Sequence, residues 1–160
     1  MSAKTYIPRG ERPVPSQMGA TLEALASVIA ERHRAADAGS YTYRLLSGGV
    51  DEVLKKVMEE AGEVALAAKD AQAAASAVSA HEGASSMPDG MKGSLAASAD
   101  AACDHLRYEA ADVVYHLLVV LERFGIDLDE FAAELNSRMT ESERPCGGAL
   151  IVPDHVKRGK

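Results

Sequence analysis

The sequence predicts an all-α fold, in which several helices pack into a bundle. Two segments, residues 51–70 and 106–124, carry apolar residues at helical spacing, and neither contains a proline. The chain has no Trp, two Phe and many Ala residues, so its core is expected to consist of aliphatic helices packed closely together. Its 160 residues are enough for one domain with an adequate core.

Segment 51–70 is predicted to be the first of two helices that carry acidic pairs. Its apolar residues recur at helical spacing, at Val53, Leu54, Val57, Met58, Ala61, Val64, Ala65 and Ala68. Side chains three positions apart share one face of a helix. Glu60 and Glu63 are therefore expected to project from nearly the same side.

Segment 106–124 is apolar almost all round, which predicts a central position in the bundle. A polar stripe runs along it, formed by His105, Glu109, Asp112 and His116 at helical spacing. A buried carboxylate that has no partner costs several kcal/mol or becomes protonated. The stripe is therefore expected to face a partner.

The two acidic pairs predict a site for a hard divalent cation. Four carboxylates that face one another across two helices form an oxygen cage, which suits Mg²⁺ or Mn²⁺ better than zinc. Two simpler interpretations stay open. The carboxylates could be ordinary solvent-facing groups, or Lys55, Lys56 and Arg107 could neutralise them in salt bridges.

Two runs of the sequence resemble the phosphoribosyl-ATP pyrophosphohydrolase family of histidine biosynthesis. They are residues 56–68, which contain the pattern EExxE, and residues 109–119, which contain ExxD. Together these patterns are the signature of the wider superfamily of all-α nucleoside triphosphate pyrophosphatases. The similarity extends to residues 22–25, 31–32, 40–45 and 125–130, and it covers residues 20–70 and 105–139 in the same order.

The resemblance implies a helical bundle of the all-α pyrophosphatase type, with about four main helices per chain, completed by dimerisation. It also implies Mg²⁺-dependent hydrolysis of phosphoribosyl-ATP to phosphoribosyl-AMP and pyrophosphate, the second step of histidine biosynthesis. Mn²⁺ is an alternative cofactor. The signature assigns the metal to Glu60, Glu63, Glu109 and Asp112. The partner expected besides the substrate is a second copy of the chain, in a homodimer or a larger homo-oligomer.

Glu59, the first glutamate of the signature, joins the four metal-binding carboxylates in the predicted catalytic set. Its expected role is to activate water as a general base or to bind a second metal ion, and the alternative is a surface carboxylate paired with Lys55. Lys56 lies one helical turn before Glu60 and is expected to contact a substrate phosphate. A simple ion pair between Lys56 and Glu60 is the rival interpretation.

Three further residues are predicted to bind the substrate. Arg44 could clamp a phosphate through two hydrogen bonds, although an exposed Arg in a loop is often only solvated. Tyr41 could stack on the adenine or cap the core. His116 could touch the substrate or orient a carboxylate, and its alternative is a purely structural role on an apolar helix.

Two other functions remain open. A house-cleaning pyrophosphatase for nucleoside triphosphates would use the same carboxylates with a different pocket for base and sugar, and the runs 40–45 and 115–116 argue against it. A non-catalytic metal-binding bundle of the ferritin type would need Glu-x-x-His pairs, which neither acidic pair provides.

The predicted domain covers residues 21–139. A flexible arm, residues 1–20, precedes it, and a flexible tail, residues 140–160, follows it. A low-complexity insertion at about residues 71–103 is expected to form a mobile excursion, whose Ala-rich flanks extend the two neighbouring helices.

The remaining helices are predicted from their ends. The first is expected to start at Thr21 as N-cap and to run to about residue 36, followed by a loop over residues 37–49. Gly125 is expected to end the long second acidic helix. Asp127 and Glu130 offer a cap for a last helix, which is expected to end near Met139.

Composition restricts the partners. The net charge is −7, and the basic residues are scattered among 24 acidic ones, which argues against binding to nucleic acid. No apolar run approaches the roughly 20 residues of a membrane span, so no membrane contact and a cytoplasmic location are expected. Cys103 and Cys146 lie far apart without zinc-type spacing and are expected to be reduced thiols.

Overall fold

A computed structural model describes residues 17–82, 88–145 and 147–148 of the chain. Within these residues the structure contains five helices and no strands, which confirms the predicted all-α fold. The helices are α1 (Gln17–Ala35), α2 (Tyr41–Ser47), α3 (Val50–Glu82), α4 (Asp89–Arg123) and α5 (Leu128–Asn136).

Helices α3 and α4 form a long antiparallel pair that organises the fold. Their direction follows from three observations: Arg123 of α4 bonds Gly48 just before α3, His116 lies near Glu60, and His81 lines the same cavity as Lys92. The two helices have 33 and 35 residues, so each is about 50 Å long. The two acidic pairs, Glu60 with Glu63 and Glu109 with Asp112, lie in the half of this helix pair that is nearer to α2.

Most of the predicted insertion, residues 71–103, lies within these two helices. Helix α3 continues through the first Ala-rich flank to Glu82, and α4 begins at Asp89 and contains the second flank. Ala has the highest intrinsic helix propensity, so such flanks readily prolong existing helices. Residues 83–87, at the centre of the predicted excursion, lie outside the described part of the chain.

Helix α1 begins at Gln17, earlier than the predicted N-cap Thr21. Residues 17–20 contain no proline, so nothing in their backbone prevents an additional helical turn before Thr21. The buried Ile29 places one face of α1 against the core, together with Leu22 and Leu25. Residues 1–16, which form most of the predicted arm, lie outside the described residues, as do residues 146 and 149–160 of the predicted tail.

The prediction of a loop over residues 37–49 is wrong at its centre, where the short helix α2 lies. The Ser40 side chain caps α2 by accepting a hydrogen bond from the backbone N–H of Tyr43. Thr42, Leu45 and Leu46 are buried against the core. A helix of seven residues spans only two turns, so it shows too little periodicity to be recognised in the sequence.

Arg123, the last residue of α4, holds the corner between α2 and α3. Its guanidinium group donates hydrogen bonds to the carbonyl oxygens of Leu45, Leu46 and Gly48, at 2.9, 2.7 and 2.8 Å. These carbonyls belong to the C-terminal end of α2, where helical partners are lacking. One side chain therefore fixes the end of α2 and the start of α3 to α4.

The predicted signals around residue 125 are confirmed by the structure. Gly125 has a φ of +65°, and the N–H of Ile126 bonds back to the carbonyl of Leu121, which ends α4. Asp127 and Glu130 form a reciprocal capping box at the start of α5. Helix α5 ends at Asn136 rather than near Met139.

None of the five helices of the described residues combines the length and the apolar character of a membrane span. Cys103 is an exposed free thiol, and Cys146 lies outside the described residues.

Replacing Arg123 by Gln is expected to destabilise the fold by about 2 kcal/mol, because partly buried carbonyls lose charged donors. The measurement is the free energy of unfolding in urea. Arg138→Gln is the matched control, since its ion pair with Glu134 leaves 71% of the Arg side chain exposed. Equal unfolding free energies for the two variants would contradict this role for Arg123.

Candidate metal centre

Three glutamates from the two long helices converge at one point. Single carboxylate oxygens of Glu60, Glu63 and Glu109 all lie within 4.8 Å of one another. Glu60 and Glu109 are buried, with 5% and 6% of their surface exposed, whereas Glu63 lies at the surface. The helical spacing of Glu60 and Glu63 aims both at α4, and Glu109 meets them there. Carboxylate oxygens are the ligands that Mg²⁺ and Mn²⁺ prefer, so the donor set fits such an ion.

Asp112, the fourth predicted ligand, lies one turn beyond Glu109 on α4 and outside this group of three. Its carboxyl group is half-buried. Burial is the main cause that raises its pKa, and the charges of Glu60 and Glu109 raise it further. The carboxyl group of Asp112 therefore interacts electrostatically with the cluster. It does not belong to the group of three whose oxygens lie within 4.8 Å of one another.

The two buried glutamates each have a partner one turn earlier on their own helix. The Lys56 ammonium lies 2.8 Å from Glu60 Oε1, and His105 Nε2 lies 2.8 Å from Glu109 Oε1. Lys56 also bonds Glu59 Oε2 at 3.0 Å. The ion pair that was the rival interpretation for Lys56 is thus present, and Glu59 takes part in it at the exposed edge of the site.

The charges of the cluster shift the pKa values of its members in opposite directions. The hydrogen bond from Lys56 lowers the pKa of Glu60, although burial opposes this shift. The pKa of Glu63 is raised, first because a proton on it can be shared with Glu60, then through desolvation and the negative charge of Glu109. Carboxylates crowded in this way repel one another unless a proton or a cation lies between them.

Helix α2 meets the site through Tyr41, whose hydroxyl group bonds His116 of α4. His116 is buried, with 4% of its surface exposed, and its Nδ1 donates to the carbonyl oxygen of Asp112 at 2.9 Å. A carbonyl can only accept, so Nδ1 carries a proton, and in the neutral ring Nε2 accepts from the Tyr41 hydroxyl at 3.1 Å. Nδ1 also lies 3.8 Å from Glu60 Oε1. Both ring nitrogens of His116 are therefore engaged within the protein.

The next residue of α2, Thr42, connects three helices through its buried hydroxyl. Its Oγ1 accepts a hydrogen bond from the Arg32 guanidinium at 3.0 Å and lies 2.8 Å from the Tyr115 hydroxyl. Three consecutive residues thus make three different contacts. Ser40 caps α2, Tyr41 bonds His116, and Thr42 bonds Tyr115.

Arg44 is exposed beside this network. Its guanidinium carbon lies 6.0 Å from the centre of the Tyr41 ring, at the limit of a cation–π contact, and Nη1 makes a long bond of 3.4 Å to the Gly39 carbonyl. Neither contact uses the full hydrogen-bonding capacity of the guanidinium group.

Several contacts of this region carry little or no signal in the sequence. For His105, a member of the predicted polar stripe, the signal is its position four residues before Glu109, the same spacing as that of Lys56 before Glu60. Thr42 and Arg32 lie inside the runs that carry the family resemblance, and no local pattern marks their contact. The contacts of Arg123 carry no sequence signal, since its partners are backbone carbonyls.

Comparison with known proteins agrees with this geometry. The family model of phosphoribosyl-ATP pyrophosphohydrolase matches residues 22–139, which is most of the chain. The chain belongs to the phosphoribosyl-ATP pyrophosphohydrolase family. The matched region contains α1 to α5 almost completely, including all the glutamates of the cluster.

Two kinds of protein are similar to this family member over most of its chain. The histidine biosynthesis bifunctional protein HisIE of Halalkalibacterium halodurans is 37% identical over 124 residues, 78% of this chain and 43% of that protein. The phosphoribosyl-ATP pyrophosphatase of Rhizobium johnstonii is 35% identical over 124 residues, 78% of this chain and 88% of that protein.

The corresponding enzyme of Limosilactobacillus fermentum is 34% identical over 117 residues, 73% of this chain and 82% of that protein. The chain spans less than half the length of the HisIE relative. No solved structure matches the chain.

Replacing Glu63 by Gln is expected to raise the melting temperature of the metal-free protein at neutral pH. The folded-state pKa of Glu63 is raised, so its ionisation costs folding free energy, and this cost appears as the pH rises through that pKa. The gain from the substitution should therefore vanish below about pH 4, where the carboxyl group is protonated. Thermal unfolding with a chelator present measures this.

The matched control for this measurement is Glu31→Gln, which removes an exposed carboxylate of α1. A Glu63→Gln protein that melts below the wild type at neutral pH, or a difference that does not change with pH, would contradict the repulsion within the cluster.

Proposed function

We propose that this chain hydrolyses phosphoribosyl-ATP to phosphoribosyl-AMP and pyrophosphate, with Mg²⁺ as cofactor, in histidine biosynthesis. The observation that carries the proposal is the convergence of Glu60, Glu63 and Glu109 from two helices in a chain of this family. The names of the phosphoribosyl-ATP pyrophosphatases to which the chain is similar support the same reaction. A biosynthetic role also fits the cytoplasmic location that the sequence predicts.

Glu60, Glu63 and Glu109 would hold the divalent cation, with Asp112 beside them as a fourth carboxylate. When bound, such an ion neutralises the charge on the triphosphate oxygens during phosphoryl transfer. Glu59 lies at the exposed edge of the cluster and accepts the proton of the attacking water. Water attacks the α-phosphorus, the bond between the α-phosphorus and the bridging oxygen breaks, and pyrophosphate leaves.

The basic and aromatic residues around the cluster orient the substrate. Lys56 pairs with a phosphate of the triphosphate, and the partly used guanidinium of Arg44 binds a second phosphate. Tyr41 has 45% of its surface exposed, so its ring offers a face for the adenine, while its hydroxyl stays on His116. His116 is too enclosed for extensive contact with a ligand, and its ring lies beside Glu60.

Release of pyrophosphate tests this function directly. The purified protein with Mg²⁺ should release it from phosphoribosyl-ATP in preference to ATP, GTP, CTP and UTP. Glu109→Gln should lower kcat/KM by at least about 100-fold, because an ion loses one of its buried ligands. Glu31→Gln, on the exposed side of α1, should keep the wild-type rate.

The other outcomes identify the alternative functions. Equal or faster release from the ordinary triphosphates would assign the chain to the house-cleaning pyrophosphatases instead. Absence of Mg²⁺-dependent release from every substrate would exclude both enzymatic proposals.

We also propose that the active form is a homodimer or a larger homo-oligomer. The support is an exposed apolar stripe on α3, formed by Leu54, Met58, Ala61 and Ala65 at helical spacing. Met58 has 74% of its surface exposed and Leu54 42%, although both belong to one of the two central helices. A second copy of the chain, with the same stripe, is the occupant that matches this surface through a two-fold axis.

Met58→Glu is expected to weaken the dimer at least tenfold, since burial of an unpaired carboxylate costs more than about 1.4 kcal/mol. Sedimentation velocity over a range of concentrations measures the change. Met91→Glu is the control, because Met91 is 54% exposed at the opposite end of the helix pair. A wild-type protein that remains monomeric at high concentration would refute the dimer itself.

A further inference from the structure

The Lys56 ammonium is the cation that pairs with one buried carboxylate of the cluster, that of Glu60. It lies 2.8 Å from Glu60 Oε1 and 3.0 Å from Glu59 Oε2. Glu60 is buried and also belongs to the group of three carboxylates that fits a divalent cation. The ammonium and such an ion therefore compete for the same buried carboxylate.

The competition follows from charge and distance. A divalent cation held by Glu60 would lie close to an ammonium held by the same carboxyl group, and the two positive charges would repel each other in a partly dry environment. The ion pair with Lys56 must therefore be broken or stretched when the metal binds. His105 beside Glu109 does not impose the same cost, because a neutral imidazole can donate a hydrogen bond without a charge.

Lys56 can leave Glu60 without disturbing the fold. Its side chain is 31% exposed, and its stem has four flexible methylene groups. If Lys56 were displaced into solvent, its ammonium group would lose a buried ionic partner. A triphosphate that arrives with the metal offers a new anionic partner beside the site, and the loss is then compensated.

We propose that Lys56 is the resident counter-ion of the cluster, that it leaves Glu60 when a divalent cation binds, and that it then pairs with a substrate phosphate. The second step rests on the proposed function. The consequence is that the free protein binds the metal weakly and that phosphate and metal bind with positive cooperativity, since coupling between two ligands is reciprocal. Lys56 thus makes capture of the metal depend on the presence of substrate.

Titration of the metal-free chain with Mn²⁺ by calorimetry tests the first step. Lys56→Met should bind Mn²⁺ about tenfold more tightly than the wild type, and Lys56→Gln should behave in the same way. Lys55→Met is the matched control, because it changes the net charge equally from an exposed neighbouring position. If the Lys56 variants bind Mn²⁺ no more tightly than Lys55→Met does, the role as counter-ion is refuted.

Binding of inorganic pyrophosphate at saturating Mn²⁺ tests the second step without relying on turnover. The wild type should bind pyrophosphate at least tenfold more tightly than Lys56→Met, and Lys55→Met should resemble the wild type. Equal affinities, or no pyrophosphate binding by the wild type, would refute the transfer of Lys56 to phosphate. Failure of the proposed reaction would appear separately, as absent hydrolysis by a protein whose Mn²⁺ affinities still follow the predicted order.

Discussion

Burial of like charges between α3 and α4 is the constraint on which the rest of this structure depends. Glu60 and Glu109 lie almost completely out of solvent, and Glu63 closes the group at its exposed side. Such an arrangement is unfavourable in the absence of positive charge, because buried carboxylates repel one another and lose hydration. Lys56 and His105 reduce this cost from within the same two helices. The two buried carboxylates of the proposed metal site thus each have a partner on their own helix.

The remaining elements keep the two helices in register around this cluster. Arg123 attaches the corner between α2 and α3 to the end of α4, and Tyr41 attaches the start of α2 to His116. His116 in turn bonds the backbone of Asp112, within one turn of Glu109. Helix α1 adds a third layer through Ile29 and through the bond from Arg32 to Thr42. The short α2 therefore couples the hydrophobic core to the polar site.

The parts of the fold that follow from local chemistry could be predicted from the sequence. Residues 51–70 and 106–124 carry apolar side chains at helical spacing over several turns. Gly125 adopts a positive φ, and Asp127 forms a capping box with Glu130. Parts that depend on distant partners could not be predicted. Helix α2 is too short to show a period and is held by Arg123, which lies 75 or more positions away.

The same distinction applies to the candidate site. The spacing within each acidic pair, together with the apolar surroundings of Glu109, was enough to expect four carboxylates at one point, and three of them have oxygens within 4.8 Å of one another. Sequence spacing placed Asp112 with them but could not tell that its oxygens lie outside the closest group. It also left two interpretations of Lys56, as phosphate ligand or as partner of Glu60. The distance of 2.8 Å shows the pairing with Glu60, and the contact with phosphate is the proposed second state of the same side chain.

Anomalous diffraction from crystals of the protein with Mn²⁺ and pyrophosphate would locate the metal ion itself. The expected anomalous peak is bonded to carboxylates of both α3 and α4, at Glu60, Glu63 and Glu109. A peak held by only one helix, or located elsewhere while these three glutamates keep their present partners, would contradict the assignment of this cluster as the metal centre.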